Sequence, residues 1–185
     1  MARLRFMLVE GRDCGECSVC CEVLNIDQPE LKKEAGTLCP HCTDAGCAVY
    51  ETRPELCRGW YCLWRRLPDL PDSFRPDRSR ILLSFEGVDP PENPFETDFI
   101  VIRAVDDPDT NFSPPEITAI LDEILEASPY PIWVSSNNGR KYLVHPSTEI
   151  ATAVINNTPA TDADQAREIN DWKTGWNRRK AMSRE

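Results

Sequence analysis

Apolar residues in the second half of the chain fall at two different spacings, and each spacing predicts an element. Ile81, Leu83 and Phe85 recur at every second position, and residues 99–105 are a β-branched run, so both stretches predict strands. Ile117, Ile120, Leu121, Ile124 and Leu125 recur at helical spacing instead. They follow Ser113-Pro114-Pro115-Glu116, which reads as a capping serine, a first-turn proline and a glutamate placed to cap back. Ser128-Pro129 ends that helix, because a residue before proline is pushed out of the helical region.

Residues 131–135 and 141–145 predict two further strands around Asn137-Asn138-Gly139, whose residue types suit the positive φ angles of a tight hairpin turn. A last helix is expected from Thr161, with Asp162 and Asp164 at its start and Arg178, Arg179 and Lys180 at its end, where they match the helix dipole. Its stripe of Ile169, Trp172 and Trp176 is expected to dock on the body. Proline-rich residues 67–76 form a linker or a wrapping loop, and residues 89–94 form a loop between strands. His145, before Pro146, reads as structural.

The first third has a different composition. All nine cysteines of this 185-residue chain lie between Cys14 and Cys62: Cys14, Cys17, Cys20 and Cys21, then Cys39, Cys42 and Cys47, then Cys57 and Cys62. Gaps of two to four residues bring sulfurs together around an ion. Residues 1–10 lack a signal-peptide core, so a reducing cytoplasm is the expected compartment, and an odd number of thiols argues against a pure disulfide framework. Few large apolar side chains accompany the sulfurs, so metal binding is expected to supply much of this module's folding free energy. The expected fold class is thus α+β: a metal-stapled N-terminal cysteine module packed on or linked to a small antiparallel sheet with covering helices. The expected divisions are a metal-binding module at 1–65, an acidic α+β domain at 66–160 and a C-terminal helix at 161–185.

Charge narrows the function classes. A formal net charge of −10 opposes attraction to phosphate backbones, which argues against nucleic acid, and no apolar stretch is long enough to cross a bilayer. A protein partner stays open for the acidic region. Its carboxylates, among them Asp106-Asp107, Asp109 and Asp122-Glu123, have the scattered spacing of a solvated surface.

All nine cysteines are candidate metal ligands. Eight thiolates would close two four-sulfur sites and leave one over. Adjacent side chains diverge, so Cys20 and Cys21 are expected to serve different ions or different sites. Such closed sites favour zinc in a structural or metal-handling role. The alternative is an iron–sulfur cluster with a redox role, since Cys14-x2-Cys17-x2-Cys20 echoes ferredoxin spacing. Abundant thiols leave His41 a solvent-facing imidazole, Arg53 and Arg58 are candidate donors to thiolates, and Trp60, Tyr61 and Trp64 are expected to form the module's small core. There is no Gly-rich nucleotide loop, no Gly-x-Ser-x-Gly elbow and no His-Glu-x-x-His helix.

The run from Cys14 to Cys21, followed by Cys39 and by Gly46-Cys47 through Arg53-Pro54-Glu55-Leu56-Cys57 to Trp60-Tyr61-Cys62, resembles the CxxCxxCC, or YkgJ-type, cysteine-cluster family. The resemblance covers about residues 14–62 and implies a zinc- or iron-chelating domain, with a methyltransferase-related role by analogy. It maps onto Cys14, Cys17, Cys20, Cys21, Cys39, Cys47, Cys57 and Cys62, and Cys42 is an additional thiol that replaces Cys39 or joins it.

Overall fold

Short, cysteine-interrupted stretches cannot support long elements, and the first third of the chain accordingly folds into one-turn helices and two- or three-residue strands. The computed structural model describes residues 7–135 and 140–182. The order is α1 (Val19–Val23), hairpin β1 (Ile26–Gln28) and β2 (Leu31–Lys33), hairpin β3 (Cys42–Thr43) and β4 (Gly46–Cys47), and α2 (Glu55–Gly59). Pro54 immediately precedes α2, where a missing N–H costs nothing, and a 3-10 turn follows at Leu63–Arg65.

The larger part follows as α3 (Pro76–Ser79), β5 (Ile81–Glu86), β6 (Phe99–Ala104), α4 (Pro108–Phe112), α5 (Pro115–Ala127), β7 (Ile132–Ser135), β8 (Lys141–His145), α6 (Thr148–Asn156) and α7 (Ala163–Met182). The molecule is α+β. Its main sheet has four strands in the order β5-β6-β7-β8, and it is mixed rather than wholly antiparallel: β6 and β7 run parallel, pairing Ile100 with Ile132 and Ile102 with Val134. A parallel pair needs a crossover of a dozen or more residues, and α4 with α5 supplies it.

The sheet is covered on both faces, which is why β6 reads as a continuous apolar run. One face carries Ile81, Leu83, Ile100, Ile102 and Ile132, packed against Ile117 and Leu121 of α5. Each such side chain, fully buried, contributes roughly 1.5–3 kcal/mol. Leu63, Trp64, Leu70 and Phe74 complete this core, so the proline-rich segment wraps the body. Trp64 thereby belongs to the main core, whereas Trp60 packs with α1. The opposite face is shared. Val19 and Val23, one turn apart on α1, pack on Leu82 and Val105, while Phe95, Ile150, Val154 and Ile169 cover the far end. Trp172 of α7 docks edge-on against Phe95 and His145, as its apolar stripe predicts.

Local chemistry departs from expectation in two places. Ser113 does not cap α5: its hydroxyl donates to the Thr110 carbonyl at 3.1 Å, because α4 already occupies the preceding turn. That helix is capped by Asp107, which accepts from the Thr110 N–H at 2.9 Å. Helix α6, capped by Ser147, fills a stretch for which no element was predicted. The Asn137-Asn138-Gly139 turn lies outside the described residues.

Candidate functional site

Helix α1 sets the site. With Val19 and Val23 held against the sheet, Cys20 and Cys21 turn toward the remaining sulfurs. Cys14 and Cys17 are linked by a turn in which the Cys17 N–H donates to the Cys14 carbonyl at 2.9 Å. The same carbonyl accepts from Arg75 Nη2 at 2.9 Å, which ties the first cysteine loop to the sheet-bearing part. Cys39 is brought in by its N–H bond to the Cys21 carbonyl at 2.9 Å. Cys42 and Cys47 are direct cross-strand partners in the β3–β4 hairpin.

Two groups result. Cys20 has Cys14 and Cys17 as charged neighbours, as has Cys62, and Cys17 and Cys62 share the apolar cluster under α1. Cys57 has Cys21, Cys39 and Cys47 as neighbours, and Cys21, Cys39, Cys42 and Cys57 pack around Ile26 and Leu31. The groups meet at the adjacent Cys20 and Cys21, whose side chains act on each other's acidity although their other neighbours differ. No disulfide joins any of the nine. Among the described residues, no three Cys, His, Asp or Glu side chains stand in a finished coordination shell.

The thiols differ in acidity. A hydrogen bond from Cys20 draws Cys21 down to about 6; burial opposes it, while a bond from Cys42 and the Lys33 ammonium assist. Cys20 itself rises well above the ordinary thiol value, through that same bond, burial and the charges of Cys21, Cys14 and Cys17. Burial, reinforced by Cys14 and Cys17, pushes Cys62 up to about 11 against hydrogen bonds from backbone N–H groups. Burial also raises Cys17, Cys42 and Cys57.

Eight of the cysteines line one cavity of about 780 Å³ between the cysteine-bearing segment and one face of the main sheet, and Cys42 lies outside that lining. His41 lines it too. On the sheet side, Glu86 accepts from Ser84 Oγ at 2.6 Å, Arg103 Nη1 at 2.7 Å and Lys141 Nζ at 3.2 Å. Burial alone would raise Glu86, but Arg103, Ser84 and Lys141 hold it down to about 2.

Sequence reasoning missed two cations here. Lys33 is buried, donates to the Glu22, Leu24 and Glu34 carbonyls, and lies close enough to Cys39, Cys21 and Cys20 to feel their charge. Burial lowers its pKa. Arg65 is buried beside Tyr61, and its only signal was the Arg65-Arg66 pair just after the last cysteine. Arg58, by contrast, is exposed. No family model, curated protein or solved structure matches the chain. Among the described residues, no helix is long and apolar enough to cross a membrane.

Proposed function

We propose that the chain binds metal through two thiolate groups: Cys14, Cys17, Cys20 and Cys62 in one, and Cys21, Cys39, Cys47 and Cys57 in the other, with Cys42 as an added thiol beside the second. The supporting observation is the convergence on one cavity of cysteines from separate stretches of chain, arranged as two neighbourhoods that meet at Cys20 and Cys21. A donor set dominated by sulfur suits zinc, and four-thiolate closure leaves no open coordination position, so the role is structural or metal-handling. Bound zinc would supply a cross-link that staples the N-terminal segment and neutralises thiolate charge. Lys33 and Arg53, whose charges act on these sulfurs, would offset what negative charge remains. The CxxCxxCC motif resemblance fits this reading, and reduced thiols fit a cytoplasmic setting.

The adjacency of Cys20 and Cys21, each with neighbours in a different sulfur group, favours one second reading, an iron–sulfur cluster in which adjacent thiolates serve neighbouring irons. Anaerobic purification, metal analysis and an absorption spectrum separate the two. Colourless protein with about two zinc ions per chain supports the first. Iron, labile sulfide and visible charge-transfer bands support the second. In the zinc case, Cys14→Ser/Cys62→Ser and Cys47→Ser/Cys57→Ser should each lose about one ion. A fully reduced, folded chain that takes up neither metal overturns both.

A further inference from the structure

The cavity has a second kind of wall. Arg65 is only 7% exposed, and its Nε and Nη1 make no hydrogen bond. Arg53 Nε and Nη1 are likewise buried without a hydrogen-bond partner, while its Nη2 donates to Tyr61 Oη at 3.2 Å. The Arg53 guanidinium lies 3.7 Å from the Tyr50 ring centroid and 5.9 Å from that of Tyr61, and the Arg65 guanidinium lies 5.5 Å from Tyr61, so two like charges are gathered around these rings. Neither arginine has an ion pair among the described residues. Leaving charged donors desolvated and unmatched is expensive, and a planar guanidinium matches a carboxylate or phosphate through paired N–H bonds. Val49, Leu56 and Trp60 add apolar surface to the lining of the same cavity.

We propose that Arg53, Tyr61 and Arg65 form a binding site for the oxyanion of a small organic carboxylate or phosphate, whose apolar body lies along Val49, Leu56 and Trp60. The paired donors fix the oxyanion, and the apolar wall distinguishes such a molecule from a bare inorganic ion. Thiolate sulfur is the competing acceptor for Arg53, since its charge already acts on Cys57. The site does not require metal, so its test can fail or succeed independently of the zinc reading.

Isothermal titration of the full chain with benzoate, phenyl phosphate, inorganic phosphate and neutral phenol, at constant ionic strength, tests this site. Metal content is measured on the same samples. Benzoate or phenyl phosphate should bind more tightly than inorganic phosphate, the stronger of the two identifying the group, and phenol should not bind. Arg65→Met should weaken that binding by about tenfold or more with metal content unchanged. Arg65→Lys, which keeps the charge but loses the paired N–H fork, should also weaken it with metal content unchanged, and it carries the test if Arg65→Met does not fold. Absence of binding by both aromatic anions, or undiminished affinity in the folded arginine variants, overturns the proposal. So does weakening that only follows loss of metal.

Discussion

At the scale of single residues, Gly46 shows how one position can hold a site together. Its φ is +99°, and a Cβ placed there would stand 2.8 Å from the Gly15 backbone oxygen. Only glycine lets the β3–β4 hairpin, with Cys42 and Cys47, approach the Cys14–Cys17 loop this closely. Gly46→Ala should therefore destabilise the chain by about 1–3 kcal/mol, read as a lower urea midpoint. It should also weaken metal retention against a competing chelator. An unchanged midpoint would mean that the loop contact is dispensable. Arg12 has a comparable linking role: its guanidinium donates to the carbonyls of Trp64, Leu67, Pro68 and Leu70, tying the N-terminal segment to the wrapping loop.

At the scale of elements, the main sheet carries an ionic network on the face that meets the cavity. Register places Glu86 opposite Phe99, Arg103 opposite both Leu82 and Ser135, and Lys141 opposite Ser135, so polar side chains from successive strands fall on one face. Glu86 is held at about 2, below the ordinary carboxylate value of 4.5, so the folded state binds its proton less readily than the unfolded state. Its stabilising contribution is present above pH 4.5 and is lost as pH falls through about 2. That contribution is roughly 3 kcal/mol at most. Glu86→Gln should consequently destabilise the protein near neutral pH, and the gap from wild type should narrow progressively below pH 4.5 in denaturation experiments. A gap that stays constant down to pH 2 would exclude a charge-dependent role for this carboxylate.

At the scale of the whole molecule, the cysteine-bearing segment is held by contacts of different kinds, among them the apolar packing of Val19 and Val23 on Leu82 and Val105, and the proposed metal cross-links. The first survives chelation and the second does not. Metal removal under reducing conditions should therefore lower hydrogen-exchange protection across residues 14–62, while amides of Ile81–Glu86 and Phe99–Ala104 stay protected. Equal protection with and without metal would show that the segment folds on packing alone. The main strands, α5 and α7 were legible in the chain because hydrophobic period and turn residues are local properties. So was the clustering of sulfur. The cap of α5 was misread because Ser113 is engaged by α4, an element that residue type alone did not disclose. The parallel β6–β7 pairing follows from the helical crossover between those strands, yet the four-strand order was not readable without the long-range pairing. Sequence by itself determined the α+β class and the gathering of nine thiols within residues 14–62. Tertiary structure decided the two sulfur neighbourhoods and the placing of Arg53 and Arg65 beside Tyr61, because these depend on α1 docking against the sheet, on Gly46 meeting Gly15 and on contacts between residues far apart in the chain.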